Sequence, residues 1–291
     1  MRVVEWKNLG AFFQHEGHDI FYIRKGSGSL VLLLHGFPSS SYDWHKMYPS
    51  LIERYDFVCL DMLGYGFSDK PLNNHYSIHL QADIVESFLQ FLKIESCHIL
   101  AHDMGDSVAN ELLARQQSQE LSFSILSLCL LNGGLFPGVH KPLFVQWALM
   151  TPLGKYIAKF YSFKMFSKAF SKIFGQATQA SSEELEEMWY LMNYKEGMKV
   201  FPLLIKYMQD RIDNEKRWLK ALVTCKLPLR LINGAADPIS GLHLVKHYQK
   251  VIPNPDVVVL NEIGHYPQME APNLVLKHFV EFLSDQGEVS A

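Results

Sequence analysis

An aspartate stands where an apolar run gives way to a helix-like one in HILAHDMGDSVANELLAR, residues 98–115. A carboxylate at such a strand-to-helix turn has two uses. It can cap the helix, a common role of Asp, or it can be held in strained backbone as a nucleophile. The second use requires small residues two places to either side, and Ala101 and Gly105 flank Asp103 at that spacing. The backbone N–H of Met104 opens the helix, and a helix N-terminus keeps a nearby carboxylate ionised. Asp106, one turn inside, reads as structural, because a negative charge is mildly favoured there.

Three more segments carry residues that complete such a chemistry. In HGFPSSSYDW a His-Gly pair ends an apolar run, and the N–H of Phe37 pairs with that of Met104 as a two-donor oxyanion hole. His35 reads as a structural hydrogen-bonding residue. LINGAADPIS places Asp237 after a run ending in Asn-Gly, and LNEIGHYPQMEAP places His265 after the last run. Taken singly, Asp237 before Pro238 is an ordinary turn residue and His265 is one of thirteen histidines. In chain order they are nucleophile, acid and histidine, each at the end of an apolar run, which is the order of a hydrolase triad.

The elements that must hold these residues follow from the pattern. LVLLLHG, DFVCLDMLG, CHILAHD, LSLCLLNGG, LPLRLINGAAD and DVVVLNEIGH are apolar runs that end in Gly, Asp, Asn or His. Continuous apolar runs fit strands covered on both faces. Helix-like segments at residues 77–92, 104–117, 241–251 and 273–283 alternate with them, which predicts an α/β fold with a mostly parallel sheet and right-handed crossovers. Ligands bind beyond the carboxyl ends of such strands, so the polar run ends converge on one sheet edge. GAFFQHEGHDIFYIRKG predicts two short strands about a turn at Gly17. Residues 134–217 contain no strand-like run and are aromatic and helical. They read as a cap inserted into a core of residues 1–133 and 218–291.

Within the insert, Phe163, Phe166, Phe170 and Phe174 recur at helical spacing with Lys164, Lys168 and Lys172 opposite, and no acidic residue occurs between Glu120 and Glu183. A cap helix covering an apolar site is the preferred reading. A helix lying on an anionic membrane surface is the alternative.

The chain of 291 residues, 48% apolar, has 27 basic and 30 acidic side chains, a net −3 that excludes nothing except a strongly basic nucleic-acid binder. Cys59, Cys97, Cys129 and Cys225 are scattered among apolar runs, the pattern of free thiols in a reducing compartment. No signal peptide and no long apolar span is evident, so the expectation is a soluble, cytoplasmic protein. The end, SDQGEVSA, is expected to fray. His243 and His247 are four apart on a helix but lack the Glu of H-E-x-x-H, and no Gly-x-Gly-x-x-Gly or phosphate loop occurs. No metal and no cofactor is expected.

HGFP, DMLGYGFSDKP, AHDMGD, NGAADP and GHYPQMEAP together resemble the α/β-hydrolase superfamily over essentially the whole chain, and its aspartate-nucleophile branch of epoxide hydrolases and haloalkane dehalogenases in particular. GFPSSSYDW, GYGFSDKP and HYPQ are similar to the mesoderm-specific-transcript-like group. A carboxylate attacks an electrophilic carbon without prior deprotonation. The resemblance therefore implies attack of Asp103 on an epoxide or carbon–halogen carbon of a small apolar substrate. An alkyl ester forms, and a water deprotonated by His265 hydrolyses it, with Asp237 orienting the imidazole.

Halide release needs donors such as indole N–H. Dehalogenases usually carry Trp after the nucleophile and one group has Asn at the oxyanion position, where this chain has Met104 and Phe37. Trp147 or Trp189 of the insert is the remaining indole candidate. Epoxide opening needs an acid, for which Tyr207 resembles one of the cap tyrosines of epoxide hydrolases, with Tyr156 and Tyr161 as candidates for the other. Amphipathic packing is the equal alternative for each tyrosine. The expectation is an epoxide-hydrolase-like enzyme, with a haloalkane dehalogenase or a non-catalytic binding protein of the same fold as rivals. A serine esterase is disfavoured because Ser107 lies inside the helix.

Overall fold

The computed structural model describes residues 1–285. Most of the expected frayed end, from residue 286 on, lies outside the described residues. Eight strands form one sheet: β1 (Ala11–His15), β2 (His18–Lys25), β3 (Leu30–Leu34), β4 (Asp56–Leu60), β5 (Ser96–His102), β6 (Ser124–Leu131), β7 (Leu229–Gly234) and β8 (Asp256–Leu260). Their spatial order is β1-β2-β4-β3-β5-β6-β7-β8. β1 and β2 pair antiparallel, as do β2 and β4, and every later pair is parallel. The turn between β1 and β2 uses Gly17 at φ +82°, the left-handed region that Gly enters without strain.

The apolar runs are buried on both faces, as their lack of alternation requires. In β3, Leu32 and Leu34 join one core, while Val31 and Leu33 join the other. β6 divides likewise, with Leu128 and Leu130 on one side and Cys129 and Leu131 on the other. Two layers of helix cover these cores. Helices Ile78–Phe91, Met104–Gln117, Leu242–Val251 and Pro272–Ser284 fall where the periodicity predicts them. Helix Val3–Leu9, which the pattern did not suggest, packs Trp6 edge-on against Tyr48 and Phe57.

Between β6 and β7 the regular elements are helices, including Phe144–Leu149, Gly154–Phe160, Phe163–Phe170, Ser182–Asn193, Tyr207–Asp213 and Glu215–Val223. The last of these returns to the sheet-side helix Met104–Gln117. There Trp218 donates to Glu111 (Nε1–Oε2 2.8 Å) and Arg217 pairs with the same carboxylate at 3.1 Å. The Phe stripe turns inward: Phe166, Phe170 and Phe174 are buried, and Phe170 and Phe174 lie against Tyr266, beside His265. That face is therefore not free to lie on a membrane. Among the described residues no helix is long and apolar enough to cross one.

Candidate active site

Strand register brings the four expected segments together. Leu34 pairs with Ala101 across β3 and β5, and His102 pairs with Leu131 across β5 and β6, so the loop at Phe37 and the turn at Asp103 leave the sheet side by side. Asp103 sits at φ 49°, ψ −105°, a strained geometry for a non-glycine residue. Its small neighbours are required by space. A Cβ at Gly105 would lie 2.4 Å from the Leu34 carbonyl oxygen, and one at Gly36 would lie 2.7 Å from Asp103 Cβ.

The Asp103 side chain does not cap its helix. Its Oδ2 accepts the Phe37 N–H at 3.0 Å, and its Oδ1 accepts from Arg211 Nη2 at 3.2 Å. Burial would raise its pKa, but Arg211 first, and then His265, pull it below the ordinary carboxylate value. The group is therefore held as an anion. Met104 is buried beside it and its Sδ accepts from the Tyr65 hydroxyl at 3.0 Å. The Met104 N–H, in the first turn of the helix, has no intrahelical acceptor.

On the far side, His265 Nδ1 donates to Asp237 Oδ2 at 2.8 Å. Burial opposes protonation of His265, yet the Asp237 charge and hydrogen bond, with Asp103, lift its pKa to about 9. Asp237 is itself buried. His265, Asn132 and the Ile239 N–H overcome the burial penalty and set it at about 2. Because Nδ1 is taken, the other imidazole edge is the one available for chemistry. His265 borders an apolar cavity whose walls include Phe37, Phe166, Phe170, Phe201 and Ile239.

Of the five aromatic pocket candidates, Tyr161 lines this cavity and Tyr207 packs on Phe37 with ring centroids 5.7 Å apart. The other three are corrected. Trp147 and Tyr156 are exposed on the outer face of the insert, because their helices turn the opposite stripe inward. Trp189 packs behind Phe163 and Phe166 rather than on the cavity. His35 ties two loops together, Nδ1 with the Gly36 carbonyl at 2.8 Å and Nε2 accepting from Met62 N–H at 3.0 Å. Asp106 is fully buried, which raises its pKa well above the ordinary value.

Several residues escaped the sequence reading. Asn132 bridges strand ends: its Nδ2 donates to Asp237 Oδ2 at 2.9 Å and its Oδ1 accepts from Gly234 N–H at 2.7 Å. Ser240 donates to the same Asp237 oxygen at 2.7 Å. His102 Nε2 donates to the His265 carbonyl at 2.7 Å, since burial keeps that ring neutral, its pKa lowered to about 3. Asn132 and His102 both end or border strands and were within reach of the run-end rule. Arg211 had no local signal at all. Besides Asp103, its Nε donates to Ser107 Oγ at 2.7 Å, and its guanidinium lies 4.6 Å from the centroid of Tyr207. Tyr207 Oη and Arg211 Nη1 are buried without a hydrogen bond of good geometry.

Set against known proteins, residues 29–174 match the family model of the alpha/beta hydrolase fold. The mesoderm-specific transcript homolog protein of Bos taurus is 39% identical over 291 residues, covering 96% of this chain and 87% of its own length. LipZ of Mycobacterium tuberculosis, named as a hydrolase, is 35% identical, covering 97% of this chain and 98% of its own. The chain belongs to the α/β-hydrolase fold family. Among solved structures it is similar to haloalkane dehalogenase DbeA from Bradyrhizobium elkani (TM-score 0.80, 21% identity, 95% of this chain and 97% of that one). It is also similar to epoxide hydrolase CorEH (TM-score 0.76, 20% identity, 95% and 99%). At those identities the likeness concerns the fold.

Proposed function

We propose that the protein is a cofactor-independent hydrolase that opens epoxides of small apolar compounds through an ester on Asp103. Residues 134–217 act as the cap, and the chain works in the cytoplasm, a setting its four free cysteines support. The observation that carries the reading is the carboxylate of Asp103, ionised at a strained turn, with the buried Tyr207 hydroxyl and Arg211 Nη1 beside it lacking acceptors of good geometry. An alkoxide formed next to Asp103 would supply the missing acceptor, whereas the indole donors a halide needs lie elsewhere.

An Asp103 oxygen bonds to an epoxide carbon, the C–O bond breaks, and the alkoxide takes the Tyr207 proton with Arg211 stabilising the charge. His265 then takes a proton from water, and the hydroxide adds to the ester carbonyl. The Phe37 and Met104 N–H groups hold the oxyanion. Collapse releases the diol oxygen, which takes the proton from His265, and the proton shed by the regenerated Asp103 carboxylic acid restores Tyr207. Esterification removes the Asp103 charge, so His265 loses part of what raised its pKa, the imidazolium gives its proton to solvent, and the neutral ring is the base the second step requires; solvent returns that proton when the Asp103 charge is restored.

In His265→Gln the second step fails, and a mass increment equal to the epoxide accumulates on Asp103. In wild type, one turnover in oxygen-18 water leaves label in the Asp103 carboxylate. Adducts from haloalkanes alone would move the substrate class to dehalogenation. No adduct from either panel, in wild type or in His265→Gln, would leave a hydrolase-fold binding protein. The Arg211–Asp103 contact is the one feature favouring that second reading, since it occupies the nucleophile at rest.

A further inference from the structure

The outer face of the insert is uncovered and apolar. Phe144 is 81% exposed, Phe160 73%, Leu153 62% and Trp147 59%. Isolated apolar residues on a surface are ordinary, but a contiguous group marks a contact site. Leu153, Tyr156 and Phe160 recur three and four apart and form one stripe on and just before the helix Gly154–Phe160. A groove lined by Phe144, Ile157, Met165 and Lys168 joins that helix to Phe144–Leu149 and Phe163–Phe170.

Along the sequence this region carries charge of one sign, and in space Glu196 and Lys199 share a surface groove with Lys155 and Lys159. Residues 121–182 hold six lysines and no arginine, aspartate or glutamate. The whole chain carries −3, of which this stretch contributes +6, so the remainder carries −9. Lys155 and Lys159 stand beside the Tyr156 and Phe160 rings, 5.0 and 5.8 Å from their centroids. Protein interfaces are depleted in lysine, and a second copy on this face would set lysines against lysines. An anionic lipid surface accepts both parts, apolar side chains at the acyl boundary and ammonium groups among phosphates.

We infer that this face docks on anionic lipid bilayers, inserting Phe144, Leu153 and Phe160 with Lys155, Lys159 and Lys168 at the headgroups. Leu143, Val145, Tyr161 and Ala169 line both the outer groove and the cavity at His265. Docking therefore turns this shared wall of the cavity toward the lipid. Entry of an apolar substrate from the bilayer follows if the hydrolase reading holds, whereas the docking itself does not depend on that reading.

The test uses the full chain and needs no turnover. It is sedimented with vesicles of phosphatidylcholine alone and of phosphatidylcholine with phosphatidylserine. Binding to the mixed vesicles is expected, about tenfold or more weaker on the neutral ones, and lost at molar salt, where screening acts within about 3 Å. Leu153→Ser/Phe160→Ser and Lys155→Glu/Lys159→Glu each reduce it about tenfold or more. All four sites are at the surface, and unchanged circular dichroism verifies folding. Equal binding to both vesicle types, no binding, or binding undiminished in both variants overturns the proposal. So does a dimer in analytical ultracentrifugation that the Leu153/Phe160 variant dissolves, which would assign the face to a second copy.

Discussion

At His265 two effects oppose each other, and the charges win. Burial disfavours the imidazolium, while Asp237 and then Asp103 support it, giving a pKa of about 9. A histidine raised above its unfolded value contributes stability that is fully present below about 6.5. That contribution is lost as the pH rises through about 9. An NMR titration of the His265 ring should find its midpoint near 9 in the resting protein, and lower in Asp103→Asn, where one supporting charge is gone. An unchanged midpoint would mean that Asp103 does not act on the imidazole. Arg211 is the other decisive side chain, because it donates to both Oδ1 and the backbone carbonyl oxygen of Asp103. Arg211→Met should slow ester formation about 10²–10³-fold, the usual cost of losing one donor at a developing anion, with partial recovery in Arg211→Lys. Stopped-flow measurement of the first step separates this from an effect on ester hydrolysis.

Elements are tied together here by carboxylates that collect donors. Glu270 accepts the N–H of Gly264 and of Gly175 at 2.8 Å each, the Thr178 hydroxyl at 2.6 Å and the Tyr266 N–H at 3.0 Å. It thereby joins the His265 loop to the inserted helices. Hydrogen bonds to a charged group contribute about 1.5–3 kcal/mol each, though the four are not additive. Glu270→Ala should cost about 2–4 kcal/mol in urea unfolding and loosen the loop, whereas Glu270→Gln keeps part of the network. A loss below 1 kcal/mol, on the order of a surface change, would show that the insert is held by packing alone. Within the sheet, Leu33 is fully buried, so Leu33→Ala should cost about 2–5 kcal/mol without changing the titration of His265.

For the whole molecule, the proposed docking fixes an orientation, with the outer face bearing Lys155, Lys159 and Lys168 toward the lipid. Trp147 is on that face, while Trp6, Trp44 and Trp218 are buried. Quenchers attached to lipid acyl chains should therefore dim Trp147 on docking, and the quenching should disappear in Trp147→Phe. Quenching that survives in Trp147→Phe would place a different face on the lipid.

Much of this arrangement was legible in the order of residues. The unbroken apolar runs required strands covered on both faces, and polar residues at their ends required a site at the carboxyl edge, which placed Phe37, Asp103, Asp237 and His265 together. Small residues at 101 and 105 marked the turn because backbone packs against it. The helices of the insert were legible as helices, but not which stripe of each faced inward. Trp147 and Tyr156 were misplaced for that reason, since an aromatic stripe suits a cavity wall and an exposed face equally. Arg211 is 108 residues from Asp103 in the chain, and no local spacing reports such a contact. Which charge meets the nucleophile, and which apolar face is left uncovered, depended on how the insert folds back over the sheet, and that is decided by long-range packing.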